Sequence, residues 1–363
     1  MQIVTWNVLD HTAIKYLTLD TSVECRKSYC RNPERDIDEV REKNYRDRYR
    51  EISTYLQAEV AQDDVEIICL QEVHFNLFEI IKNSGGLLGL GGLPREYHMF
   101  HNSQSNLLTL IRKKNFNKEH IIDMSREICP IDMPFDIKIQ AYFLKYKDEM
   151  GGVYVVNTHL PGKPGEQGNL LRTKMMNRIT NSLKLCHEKK RIGIPFSILM
   201  VGDLNQPNAV SQFSNSIWMI KDDILKIPQM DPNIATSYHR FELIGDIGQR
   251  DELWRQKSYN ERYQQIDYLI HSSDWMLDRK GEITPAGGMY GYETPYKVKS
   301  EVDLSLFLSG KQSKKPTFID NFDVSRGGWL SDHALIKYTL RKRLDSDRLR
   351  NSAEALEFKP QYN

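Results

Sequence analysis

Runs of β-forming apolar residues in this chain repeatedly end in a polar side chain. Gln2–Trp6 leads into Asn7, Val65–Leu70 into Glu72, Val153–Val156 into Asn157 and His159, and Phe196–Val201 into Asp203 and Asn205. Asp267 and His333 stand just before two further runs, Tyr268–Ile270 and Ala334–Tyr338. Val- and Ile-rich runs of this length read as strands, and strands that end alike deliver their polar groups to one sheet edge. One such ending is a turn. Six that share a vocabulary of Asn, Asp, Glu and His predict a single site assembled from distant parts of the chain.

Composition narrows what that site belongs to. At 363 residues the chain is long enough for one large domain or two ordinary ones, and 40% hydrophobic content supplies a full core. The formal net charge is +1, so any affinity for a polyanion must come from local basic clusters. No early apolar segment reads as a signal peptide, and no run approaches the roughly 20 apolar residues that a membrane helix needs. The five cysteines are scattered without a CxxC pair, which suits a reducing compartment and predicts a cytoplasmic or nuclear protein. Cys25 and Cys30 lack nearby partners to complete a zinc site, and Cys69 reads as core.

Two stretches have helical spacing: Val40–Glu59, with Ile52, Tyr55 and Leu56 as its stripe, and Arg172–His187, with Met175, Met176, Ile179, Leu183 and Leu185. Both are expected to cover a sheet face. Three segments look inserted: the charged Asp10–Asp38, the Gly/Leu-rich Ser84–Pro94, and the long Gly281–Gly328. A catalytic domain over 1–340 and a C-terminal tail over 341–363 are the expected divisions.

The polar set is chemically complementary. A phosphodiester resists water unless its charge is neutralised, the water is activated and the leaving oxygen is helped. Magnesium, a hard cation, takes a few oxygen ligands and keeps several waters. Glu72 suits its principal ligand, Asp332 adds a second oxygen, and Asn7 holds Glu72 or a metal-bound water. Asp203 and Asn205, two apart, share a face of an extended chain and together hold the attacking water and a phosphate oxygen. His333 is the candidate general base, with Asp267 to fix its tautomer. His159 is placed to donate to the phosphate. His74 and His271 repeat no pattern and read as incidental.

These motifs are TWN at 5–7, LQEV at 70–73, NTHL at 157–160, GDLN at 202–205, IDY at 266–268 and SDH at 331–333. In order and approximate spacing they resemble the endonuclease/exonuclease/phosphatase superfamily, over nearly the whole chain. The resemblance implies an α/β fold, a four-layered αββα sandwich of two mixed β-sheets with outer helices and the active site at one end. It implies a hydrolase of phosphoric esters that uses magnesium, with manganese as a substitute. The family roles fall on Glu72, Asn7 and Asp332 for the metal, and on His159, Asp203, Asn205, Asp267 and His333 for catalysis. Whether Asp203 or His333 takes the water's proton is left open.

The leading expectation is a nuclease that hydrolyses RNA or DNA by in-line attack of water. Lys163, Arg172, Lys174 and Arg178 form a candidate basic stripe for the backbone, and Tyr290, Tyr292 and Tyr296 are candidates for stacking bases. The alternative is a sphingomyelin-type phospholipid phosphodiesterase that makes peripheral lipid contact through Leu87, Leu88 and Leu90. A tyrosyl-DNA phosphodiesterase ranks lower. A non-catalytic binding module ranks lowest, because every site position is filled.

Overall fold

The computed structural model describes residues 1–8, 49–50, 52–57, 64–84, 92–128, 138–146, 151–163, 165–189, 197–207, 209–222, 224–228, 237–238, 263–264, 266–277, 284–286, 333 and 335–342. In chain order the strands are β1 (Gln2–Asn7), β2 (Ile67–Gln71), β3 (Tyr97–Asn102), β4 (Leu107–Arg112), β5 (Ile121–Asp123), β6 (Lys138–Lys145), β7 (Gly152–His159), β8 (Ile198–Asp203), β9 (Leu225–Lys226), β10 (Ser237–Tyr238), β11 (Tyr263–Gln264), β12 (Asp267–Ser272), β13 (Trp275–Leu277), β14 (Thr284–Ala286) and β15 (Leu335–Lys342).

Alternation along the strands produces the layers. In β1, Ile3 points to one face and Val4 and Trp6 to the other. In β8, Leu199 and Val201 oppose Ile198 and Met200. Strands apolar on both faces must be covered on both faces. One sheet runs β13-β15-β1-β2-β4-β3, with β14 also on β15; the second runs β5-β6-β7-β8-β12-β9. The β1–β2 and β7–β8 pairs are parallel and their other neighbours antiparallel, so both sheets are mixed.

The sheets pack face to face over Ile3, Ile67, Cys69, Val153, Val155, Leu199, Val201 and Leu269. The helix Phe75–Asn83 buries Leu77 and Ile81 against the outer face of the first sheet, beside the helical residues 49–50 and 52–57 with Ile52 and Leu56. The 25-residue helix Gly165–Lys189 lays Met175, Met176, Ile179 and Leu183 on the outer face of the second sheet. The result is the expected αββα sandwich.

Some boundaries differ from the sequence reading. The long helix begins earlier and ends later than Arg172–His187, and Leu185 is 51% exposed, outside its apolar stripe. Arg341 and Lys342 continue β15, where they pair with Met276 and Trp275, so the folded unit runs past 340. Asp10–Asp38, Leu87, Leu88, Leu90 and residues 343–363 lie outside the described residues, as does Gly281–Gly328 apart from β14 and its segment Thr284–Ala286.

Between the apolar core and one end of the sandwich lies a layer of buried amides and hydroxyls. Gln71 Nε2 donates to Asn157 Oδ1 at 2.8 Å and Thr5 Oγ1 at 3.1 Å. Asn157 Nδ2 faces Leu70 O, Leu108 O and Thr109 Oγ1 at 3.1–3.2 Å, and Thr109 Oγ1 donates to Gln140 Oε1 at 2.8 Å. This network ties one sheet to the other. Asn157→Ala leaves several buried partners unmatched, so it is expected to lower unfolding free energy by roughly 2–4 kcal/mol. Urea denaturation measures this, and a loss below about 0.5 kcal/mol would show that the layer is not under tension from desolvation.

Candidate active site

The inward stripes of the strands turn polar at the same end. Ile3–Thr5 continues to Asn7, Ile67–Cys69 to Gln71, Val153–Val155 to Asn157 and His159, and Leu199–Val201 to Asp203, while Leu269 leads back to Asp267. Strand register then aligns them. Asn7 sits opposite Gln71 in the first sheet. In the second, Lys138, His159, Asp203 and Asp267 form one row across four adjacent strands.

Backbone geometry at three residues is specialised. Gly202 has φ 142°, and a Cβ there would lie 1.9 Å from Thr158 O, so no other residue fits directly before Asp203. Glu72 (φ 60°) and Asn205 (φ 47°) adopt the left-handed conformation, a strained state for a side chain as long as Glu72.

Six predicted residues meet here. Asn7 Nδ2 donates to Glu72 Oε1 at 3.0 Å and to Asp203 Oδ2 at 3.1 Å. His159 Nε2 lies 3.8 Å from Glu72 Oε1 and 3.6 Å from Asp203 Oδ2. His333 reaches in from the first sheet, its carbonyl accepting from Trp6 Nε1 at 3.0 Å. Its Nδ1 donates to Asp267 Oδ2 at 2.9 Å, which leaves Nε2 facing Asp203 Oδ2 at 3.7 Å. The first sheet thus supplies Asn7, Glu72 and His333, and the second supplies His159, Asp203 and Asp267.

Burial sets the electrostatics. Desolvation pushes the Asp203 carboxyl up to about 7, opposed by His333 and by hydrogen bonds from Asn205 and Asn7. Desolvation also pushes His159 down to about 4, against the attraction of Glu72. Burial therefore favours the neutral forms of Asp203 and His159. Two groupings can hold a metal ion. Asp203, Asp267 and His333 offer ligand atoms within 4.8 Å of one another. However, the Asp267–His333 hydrogen bond already engages one atom of each. Glu72 and Asn7, with carboxylate and amide oxygens, suit a hard divalent cation better.

A testable consequence follows from Asp203. Below about pH 7 it carries a proton, and a nearby divalent cation favours its charged form. Cation loading near pH 6 is expected to release about one proton and near pH 8 almost none, with affinity falling as pH falls. Calorimetric titration in two buffers of different ionisation enthalpy checks this; proton release independent of pH would contradict it.

Other sequence expectations fare differently. Asn205 does not share a strand face with Asp203. β8 ends at Asp203 and the chain turns left-handed, so the Asn205 backbone N–H donates to Asp203 Oδ1 at 2.8 Å and its Nδ2 to Leu160 O at 2.8 Å. Arg172 is not part of a surface stripe. It is 2% exposed, and its guanidinium donates to Gln206 Oε1, Pro161 O, Lys163 O and Asn169 Oδ1, pinning the loop after β7 to the loop after β8. Lys163 and Lys174 are exposed and Arg178 is partly exposed. Asp332, Tyr290, Tyr292 and Tyr296 lie outside the described residues. His74 caps the helix Phe75–Asn83, and His271 Nδ1 donates to Ser272 O at 2.8 Å, both structural roles.

Gln71 and Lys138 carry no signal of their own in the sequence, and Asn157 reads there only as a polar strand end. Gln71 and Asn157 stand within the LQEV and NTHL motifs, and only their strand parity marks them as inward. Lys138 is on the same face as Gln140 and His159, and its charge helps to hold His159 neutral.

Solved structures share this architecture over nearly the whole chain. A humanized D. rerio TDP2 carrying 14 mutations matches with a TM-score of 0.50 at 14% identity, over 94% of this chain and 99% of that one. A Bacteroides thetaiotaomicron endonuclease/exonuclease/phosphatase family protein matches at 0.49 and 13% identity, covering 95% and 98% of the two chains. This chain has the endonuclease/exonuclease/phosphatase fold. A B. thetaiotaomicron mannosyl-6-phosphatase aligns with that fold at a TM-score of 0.48 and 13% identity, over 94% of this chain and 99% of its own. No family model matches the sequence, and no curated protein matches it.

Proposed function

We propose that this chain is a magnesium-dependent phosphodiesterase, with manganese as a substitute, that hydrolyses RNA or DNA by in-line attack of water. The observation that carries the reading is the meeting of Asn7, Glu72, His159, Asp203, Asp267 and His333 where both sheets end. Glu72 and Asn7 would hold the cation with Asp332, and the cation supplies neutralisation of phosphate charge.

The chain's own groups do the rest. Asp267 holds the proton on His333 Nδ1 and so keeps Nε2 available as an acceptor. Asp203 and the turn at Asn205 orient the water between that Nε2 and the phosphate. His159, on the opposite side of Asp203, donates to a non-bridging oxygen. Lys163, Lys174 and Arg178, without Arg172, are the proposed backbone contacts, and Tyr290 and Tyr292 the proposed stacking residues. No helix among the described residues is long and apolar enough to cross a membrane.

The test is a substrate panel with magnesium, manganese and chelator: labelled poly(A), mixed RNA, single-stranded and duplex DNA, a 5′-tyrosyl oligonucleotide, and sphingomyelin. Chelator-sensitive cleavage of nucleic acid supports the reading. Cleavage of sphingomyelin alone transfers the same chemistry to a lipid headgroup, and inertness toward every phosphodiester overturns it.

A further inference from the structure

Phe75 is 52% exposed, one of three large apolar side chains so exposed among the described residues. The other two, Leu170 and Leu185, lie on the long helix. Phe75 instead belongs to an aromatic cluster. Phe78 and His101 stack at 4.5 Å and 12°, and Phe75 tilts against both at 6.4 and 6.5 Å. Leu77 and Ile81 bury the other side of the same helix, so the ring is exposed by the helix's fixed rotation on the sheet.

The cluster is built into the active end. Phe75 follows Glu72 by three residues, which caps their Cα separation at about 11 Å. Val73, directly after Glu72, is clamped on both sides by the β3–β4 hairpin. His101 Nε2–H donates to Val73 O at 3.0 Å, and Val73 N donates to Asn106 O at 2.7 Å. The rings are therefore tied to the segment that presents the Glu72 carboxylate. A flat group one or two units along a polymer from the phosphate at Glu72 comes within reach of Phe75.

We propose that Phe75, backed by the Phe78–His101 stack, is a stacking platform for an unpaired nucleobase next to the scissile phosphate. This rests on the phosphodiesterase reading and deepens it. Aromatic faces accept any base, while a base held in a duplex cannot leave its own stack without cost. The platform therefore selects single-stranded RNA or DNA without reading sequence.

The test compares single-stranded oligonucleotides, intact or with one abasic position flanking the cleaved linkage, in DNA and RNA forms. Wild-type protein is expected to favour the intact strand by roughly 5- to 100-fold in KM, the worth of one base–aromatic stack. Phe75→Ala should reduce that ratio to near one, and Phe75→Trp should keep it, with circular dichroism confirming the fold. An unchanged ratio in Phe75→Ala, or no preference in the wild type, overturns the platform. So does a Phe75→Ala defect seen only in binding to sphingomyelin vesicles. If the wild type cleaves no phosphodiester, the phosphodiesterase reading fails separately. Anisotropy of the same strands in chelator then still reads the platform through its intact-to-abasic affinity ratio, with the same two results deciding it.

Discussion

Glu72→Gln is expected to reduce turnover on phosphodiesters by on the order of 10³-fold or more, with the fold retained. The substitution preserves length and leaves an amide oxygen to accept from Asn7 Nδ2, as Glu72 Oε1 does at 3.0 Å. What it removes is the negative charge at the mouth of the site. Under the proposed function a divalent cation would lose its strongest ligand, and with it several kcal/mol of transition-state charge stabilisation, each 1.36 kcal/mol being tenfold in rate. The check is turnover against magnesium concentration, beside the circular dichroism of both proteins. Near-wild-type turnover with an unchanged magnesium requirement would remove Glu72 from the metal site.

His333→Ala is expected to slow turnover by roughly 10²–10⁴-fold, the usual worth of a positioned general base. The ring sits between two carboxyl groups: Asp267 Oδ2 accepts a hydrogen bond from Nδ1–H at 2.9 Å, and Asp203 Oδ2 stands 3.7 Å from Nε2. Only the neutral ring accepts the water's proton, so wild-type rate should rise with pH along an acid limb that the variant lacks. If the variant keeps that limb at saturating magnesium, the titrating group is Asp203, whose raised pKa gives the same direction of pH dependence. The Trp6–His333 carbonyl bond holds the backbone in either protein, which keeps the comparison local.

The layered fold was readable because the strands carry period-two patterns. Thr5 and Asn7 continue the face of Ile3, and Asp203 continues that of Val201. The inward ends of the strands therefore announced both the core and the site. What escaped the reading depends on the third dimension. Arg172 looks like a surface cation on a helix, yet its guanidinium turns toward carbonyls that the chain contributes from the loop after β7. Asn205 looks like a strand residue two places beyond Asp203, but the strand ends at Asp203 and Asn205 itself is left-handed. Asn157 reads as one more polar strand end, and only the facing sheet reveals its partners. Phe75 carries no mark in the sequence, and its exposure is set by which face Leu77 and Ile81 bury.

The amide layer has a consequence for how this chain finds its native alignment. Sliding a strand by two positions keeps every greasy side chain indoors, so oil-like forces alone barely distinguish the right pairing from its neighbours. Gln71 and Asn157 make the distinction, since only one alignment matches their donors to acceptors on the opposing sheet. A two-step slip would strand these buried amides without partners, so they fix the alignment as well as hold the sheets together.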